Sequence, residues 1–260
     1  MKLILCADDY GQSQGIDDAI IHLIQQKRLS ATSCMTLSPR WKASAKRINS
    51  NIRNQAAIGL HLDFTHFGLA YSHPRLVILS ILRLLNKKEI EQQIERQLDL
   101  FEEALGTSPD YIDGHQHIHQ LPQIREVLIK VLLKRYQTKL PWLRIAKPPV
   151  ADGIKGQIIR LLGANALKKL AFQAGLDYSD YLLGVYDFNV DTNNYISRMN
   201  AWLDALRKCS RTPVLMCHPS MAKAEQDPIY KARLNEFEAL ASNDFEMLLK
   251  KHTIELVTEP

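Results

Sequence analysis

Residues 2–29, KLILCADDYGQSQGIDDAIIHLIQQKRL, place a short apolar run of strand type, KLILCA (2–7), ahead of GIDDAIIHLIQQKRL (15–29), whose apolar residues fall at three- and four-residue steps. The first pattern is that of a buried strand and the second that of an amphipathic helix. The same alternation runs on through the chain. Strand-type runs ATSCMTL (31–37), AAIGLHLDF (56–64), DYIDGH (110–115), WLRIA (142–146), YLLGVY (181–186), PVLMCH (213–218) and TIELVT (253–258) are separated by helical patterns. Among the latter are EIEQQIERQLDLFEEAL (89–105), LPQIREVLIKVLLKRY (121–136) and YISRMNAWLDALRKC (195–209). Strand and helix in alternation imply parallel strands joined by crossover helices. About eight such units predict a distorted (β/α) barrel resembling a TIM barrel, with an open doubly wound sheet as the alternative.

The 260 residues, 46% hydrophobic and 23% charged, suit one globular domain spanning 1–260. Lys and Arg number 33 against 28 Asp and Glu, and the positive residues are scattered. A nucleic-acid partner would require a concentrated basic stripe, so none is expected. Cys6, Cys34, Cys209 and Cys217 show no C-x-x-C spacing and read as reduced thiols. The first apolar run breaks at Asp8, too early for a signal segment, and no later run approaches the length of a membrane span. A cytoplasmic location is expected, and the sequence leaves homodimerisation open. Residues 65–88 form an insertion long enough to be a lid or a substrate loop.

Polar residues gather at the carboxyl ends of the expected strands. Asp8 and Asp9 follow the first, His61 and Asp63 close the third, Asp113 and His115 close the fourth, Arg144 lies in the fifth, and His218 ends the seventh. In parallel α/β proteins that rim is where active sites assemble. The segment DGHQHIHQLP (113–122) adds histidines at 115, 117 and 119; if extended, it turns Asp113 and all three to one face.

One carboxylate and two neutral imidazoles form a three-ligand set that leaves positions for water and substrate, as catalytic metal sites require. Asp9, His61 and His115 can supply it, with metal-bound water as nucleophile, Asp8 as base and His218 as acid for hydrolysis of an amide or ester. Two other readings stand beside this one: a different metal-dependent amidohydrolase or phosphoesterase, and a sugar-sensing protein without turnover.

The blocks ADDYGQSQGI, IGLHLDFT, DGHQHIHQLP and MCHPS resemble, in order and spacing, those of the YdjC-like (ChbG/HpnK) carbohydrate deacetylases, from residue 3 to about residue 220. The resemblance implies a distorted barrel that uses one divalent metal, magnesium or zinc, to remove an acetyl group from an N-acetylated amino sugar. The implied substrate is a chitooligosaccharide or a related N-acetylglucosaminyl compound. It also implies that Asp9, His61 and His115 hold the metal, that Asp8 is the base and His218 the acid, and that Arg144, His119 and Tyr10 lie at the substrate. Gln116 stands inside what is a tri-histidine run in some members, Cys6 where Asn is common, and Tyr10 where Phe is frequent. None of these departures removes a ligand or the base.

Overall fold

Every expected strand segment forms a strand in the computed structural model, which describes residues 1–68, 71–149, 153–179, 181–205 and 211–260. The order is β1 (Lys2–Tyr10), α1 (Gln14–Gln25), β2 (Ala31–Cys34), α2 (Trp41–Ala45), α3 (Ser50–Arg53), β3 (Ala57–Leu62), α4 (His73–Ile81) and α5 (Lys87–Leu105). Then come β4 (Tyr111–Gly114), a 3₁₀ segment (His115–Gln120), α6 (Ile124–Arg135), β5 (Trp142–Leu143), α7 (Gly153–Leu161), α8 (Ala164–Gln173) and β6 (Leu182–Leu183). The remainder is α9 (Thr192–Ala205), β7 (Val214–Cys217), α10 (Tyr230–Ala241), α11 (Asn243–Lys251) and β8 (Glu255–Leu256).

The strands lie in the order β5-β4-β3-β2-β1-β7-β6, all parallel, with β8 paired to the start of β1. The sheet curls until the segment ahead of β6 reaches β5. There Leu143 N–H donates to Asp177 O (2.9 Å) and Ser179 N–H donates to Leu143 O (3.0 Å). The result is a distorted barrel whose seam is a single bridge, Leu143 to Tyr178.

Period-2 alternation sorts each strand's side chains between two cores. Leu3, Leu5 and Ala7 of β1 join the large layer packed against the helices, whereas Ile4 and Cys6 face inward with Ala31, Ala57, Tyr111, Trp142, Leu182, Val214 and Met216. Small residues on β2 and β3 make room for the Tyr111–Trp142 stack, whose ring centroids are 4.3 Å apart. Gly59 is obligatory there, because a Cβ would lie 2.4 Å from the Tyr111 ring. Tyr111 and Trp142 thus plug the barrel below the inward positions that follow on each strand, Asp113 and Arg144.

The helices follow from ordinary signals. Asn86 caps α5 by accepting from Lys88 N–H and Glu89 N–H, and Gly106 ends it at φ 70. Between them Ile90, Ile94, Leu98 and Phe101 form one buried stripe, each side chain contributing roughly 1.5–3 kcal/mol of burial. Phe101→Ala would cost about 3–5 kcal/mol through the cavity it leaves. None of the described helices is long and apolar enough to cross a membrane.

One local expectation is corrected. The histidine run is not extended: residues 115–120 coil into the 3₁₀ segment, with Gln116 (φ 53) and His117 (φ 61) in the left-handed region, so Asp113, His115, His117 and His119 diverge. The 65–88 insertion carries α4 and brings His66 and His73 to the central cavity. Cys6, Cys34 and Cys217 are free and buried, while Cys209 lies outside the described residues.

Candidate functional site

Strand alternation alone would turn Asp8 inward and Asp9 outward. The register of β1 against β2 shifts between Ala7 and Tyr10, and Asp9 adopts φ 70, a local irregularity that turns this carboxylate inward as well. Asp9 Oδ1 then lies 3.1 Å from His115 Nδ1 and 3.5 Å from His61 Nε2, at the floor of a cavity of about 640 Å³. One donor atom from each of these three residues falls within 4.8 Å of the others.

His61 and Asp113 are register partners on β3 and β4, so their side chains stand side by side. Asp113 Oδ1 accepts a hydrogen bond from His61 Nδ1 at 2.6 Å, which leaves Nε2 aimed at Asp9; Ser33 Oγ donates to Asp113 Oδ2 at 2.5 Å. A carboxylate behind a histidine is how metal-ligating imidazoles are oriented. Burial disfavours the His61 imidazolium, but Asp113 and Asp8 outweigh it and hold His61 up at about 9. A cation entering between Asp9, His61 and His115 would therefore displace a proton, as metal binding to histidine requires. The donor set fits a divalent ion of intermediate softness.

Asp8 sits one step deeper. Arg144, fully buried, donates from Nη1 to Asp8 Oδ1 (2.6 Å) and from Nη2 to Asp8 Oδ2 (2.8 Å), and Nη1 also lies 3.0 Å from Asp113 Oδ2. Burial alone would raise the Asp8 carboxyl; the guanidinium, with His61 and His218, holds it well below the usual carboxylate range. Cys6, Asp8 and Asp113 form a second group of closely spaced donors. Arg144 already supplies their cation, with Nη1 3.6 Å from Cys6 Sγ, and burial pushes the Cys6 thiol up, away from a ligating thiolate.

His218 follows β7 on the far side, its Nε2 3.9 Å from Asp8 Oδ2 and its ring edge-on to Phe188 at 5.3 Å between centroids. Behind it, the fully buried Glu236 accepts from the His218 backbone N–H and from Tyr186 Oη (2.5 Å), and lies 3.9 Å from His218 Nδ1. The cavity above is walled by Ile154, Ile158 and Leu162 from α7 and its end, and by Asp227, Pro228 and Ile229 ahead of α10.

A family model for YdjC-like proteins matches residues 2–251. The chain belongs to the YdjC-like family. A carbohydrate deacetylase of Xenopus laevis is 29% identical over 160 residues, 54% of this chain and 51% of that protein. The chain thus spans about half the length of the first curated relatives it matches. A carbohydrate deacetylase of Vibrio vulnificus is 24% identical over 98% of this chain and 94% of its own. Among solved structures, a candidate cellobiose-phosphate cleavage protein of Enterococcus faecalis shares the fold, with TM-score 0.77, 20% identity, and coverage of 99% and 97% of the two chains.

In this YdjC-like chain, Asp8, Asp9, His61, His115 and His218 all line the one cavity. The three residues expected at the substrate do not. Tyr10 is buried, its hydroxyl donating to Ser44 O at 2.8 Å, because the residues after the β1 irregularity pack toward α2. His119 is buried with Nε2 on Arg144 O (2.7 Å), and burial outweighs the Asp113 field to lower it to about 4. Arg144 meets carboxylates, not the cavity. Asp63, at the end of β3, is also structural: it accepts from the backbone N–H groups of Thr65, His66 and Phe67.

Asp113, Arg233, Glu236 and Tyr186 carry site contacts that strand-end reading did not assign. Arg233 and Glu236 had a signal: on α10 they fall on the same buried stripe as Ala232, Ala239 and Leu240, and charges on an apolar stripe need partners.

Proposed function

We propose that this YdjC-like protein is a metal-dependent carbohydrate N-deacetylase that hydrolyses the acetamide of an N-acetylated amino sugar. One observation carries the reading: a three-donor set (Asp9, His61, His115), a separately held carboxylate (Asp8) and an imidazole beside it at the end of the neighbouring strand (His218) meet in one open cavity. The family, and the relatives described as carbohydrate deacetylases, support it.

A divalent ion held by Asp9, His61 and His115 would polarise the acetamide carbonyl and acidify water beside it. Asp8 accepts the proton of the attacking water. Arg144 keeps that carboxylate ionised and lowers its basicity, so Asp8 takes a proton only from water whose acidity is already raised. His218, whose Nε2 stands 3.9 Å from Asp8 Oδ2, delivers a proton to the departing amine, while Glu236 accepts from the His218 backbone N–H and so fixes its place. Acetate and a free amino sugar leave.

The test is acetate release from N,N′-diacetylchitobiose and longer chitooligosaccharides by metal-stripped protein, with divalent ions restored one at a time. Ion-dependent release that is lost in His61→Ala and His115→Ala establishes the activity. Tight ion binding without acetate release from any N-acetyl sugar overturns it in favour of a binding protein, and release of another product identifies a different hydrolase.

A further inference from the structure

Asp9 divides its two oxygens between different partners. Oδ1 faces His115 and His61, whereas Oδ2 accepts from Arg233 Nη2 at 2.7 Å. Arg233 is nearly as buried as Asp9 and is fixed from several sides. Its Nε donates to Asp227 Oδ2 (2.6 Å), its Nη1 lies 3.5 Å from His218 O, and its own carbonyl accepts from Ser220 N–H (3.1 Å). Asp227 is held in turn by a tight turn, with Ile229 N–H on Oδ1 (3.0 Å). A guanidinium so anchored cannot swing off Asp9 without giving up a second buried ion pair.

A carboxylate can bind a cation through one oxygen or chelate it through both. We propose that Arg233 is a positioning residue that confines Asp9 to a single metal-ligating oxygen, and so holds open a coordination position for water or substrate. This rests on the reading of Asp9, His61 and His115 as the metal centre. Chelation through Oδ2 would add a ligand where catalytic sites need a vacancy. Arg233 also places a positive charge on the far side of Asp9, so the site gives up cation affinity to keep that vacancy. A purely structural role predicts the reverse: loosening Asp9 would weaken the metal.

Cobalt(II) is the probe, because its visible absorption weakens as its coordination number rises. Metal-stripped wild type, Arg233→Met and Arg233→Lys are titrated with cobalt while the visible band is recorded. Arg233→Met is expected to bind cobalt roughly tenfold more tightly, the direction Coulomb's law requires when a neighbouring cation is removed. Its band should weaken severalfold, and turnover should fall. Arg233→Lys, whose ammonium can still occupy Oδ2, should keep a wild-type band. Should Arg233→Met fail to fold, Arg233→Gln is expected to move band and affinity the same way by less, and no movement in it overturns the proposal. Weaker binding with an unchanged band in Arg233→Met also overturns it. Absence of cobalt binding to wild type removes the metal reading itself and this inference with it, whereas tight wild-type binding with no variant effect removes only the inference.

Discussion

Arg144 grips Asp8 through two parallel hydrogen bonds, 2.6 and 2.8 Å, from a position with no exposure to solvent. This pair connects β5 to β1 through the barrel interior, and the same guanidinium neutralises Asp113 behind His61. Its removal would leave the buried Asp8 without its guanidinium and Asp113 with His61 alone. Arg144→Met is therefore expected to lose about 3–5 kcal/mol of stability, the usual result of breaking a buried ion pair from one side. Asp8→Asn should lose turnover and retain cation binding. Urea unfolding and metal titration check these outcomes; substantial deacetylase activity in Asp8→Asn would remove it as the base.

His119 sets an acid sensitivity of its own. In the unfolded chain it titrates near 6.5, and in the folded protein burial lowers it to about 4. The folded state refuses a proton that the unfolded chain accepts. Stability from this source is full above about pH 6.5, drains as pH falls toward 4 and levels off below, a loss on the order of 3 kcal/mol. Asp8 and Asp9, held low, act in a separate window: their contribution is full above about pH 4 and drains as pH drops below it. Urea midpoints between pH 4 and 7 should fall in wild type and stay flatter in His119→Gln. Equal slopes in the two proteins would refute the assignment.

Glu236 faces the Nδ1 side of His218, with Asp8 opposite and Arg233 at the His218 carbonyl. Glu236 also accepts from the His218 backbone N–H, so it fixes where the ring stands. Glu236→Gln should reduce kcat by roughly 10²-fold, with KM changed less. An unchanged kcat would restrict Glu236 to holding the backbone of the β7 end.

Tyr10 offers the opposite control. Its hydroxyl is spent on Ser44 O, away from the cavity. Tyr10→Phe should cost about 0.5–1.5 kcal/mol, the net worth of one hydrogen bond, since Ser44 O keeps the Arg47 N–H, with KM unaltered. A raised KM at wild-type stability would return Tyr10 to the substrate.

Every strand was legible from apolar runs, and the alternation with helices was enough for parallel strands with crossover helices, because burial on both faces writes itself into composition; closure into a barrel rather than an open sheet was decided by the fold. The residues at the strand ends, Asp8, Asp9, His61, His115 and His218, were legible for the same reason: polar groups closing apolar runs stand out. The 3₁₀ path of 115–120 was hidden, since Gln116 and His117 take left-handed backbone that their side chains do not advertise.

The linear sequence thus determined which elements form and which chemistry collects at one rim. Only the tertiary structure decided the division of labour there, because it depends on register and long-range pairing. The β1 irregularity turns two adjacent aspartates to one side, the His61–Asp113 register supplies an orienting carboxylate, and α10 returns Arg233 and Glu236 to residues 224 and 18 positions away. Such partners are set by the packing of α10 against the barrel end, and a carboxylate's two oxygens acquire different duties only when both neighbours are in place.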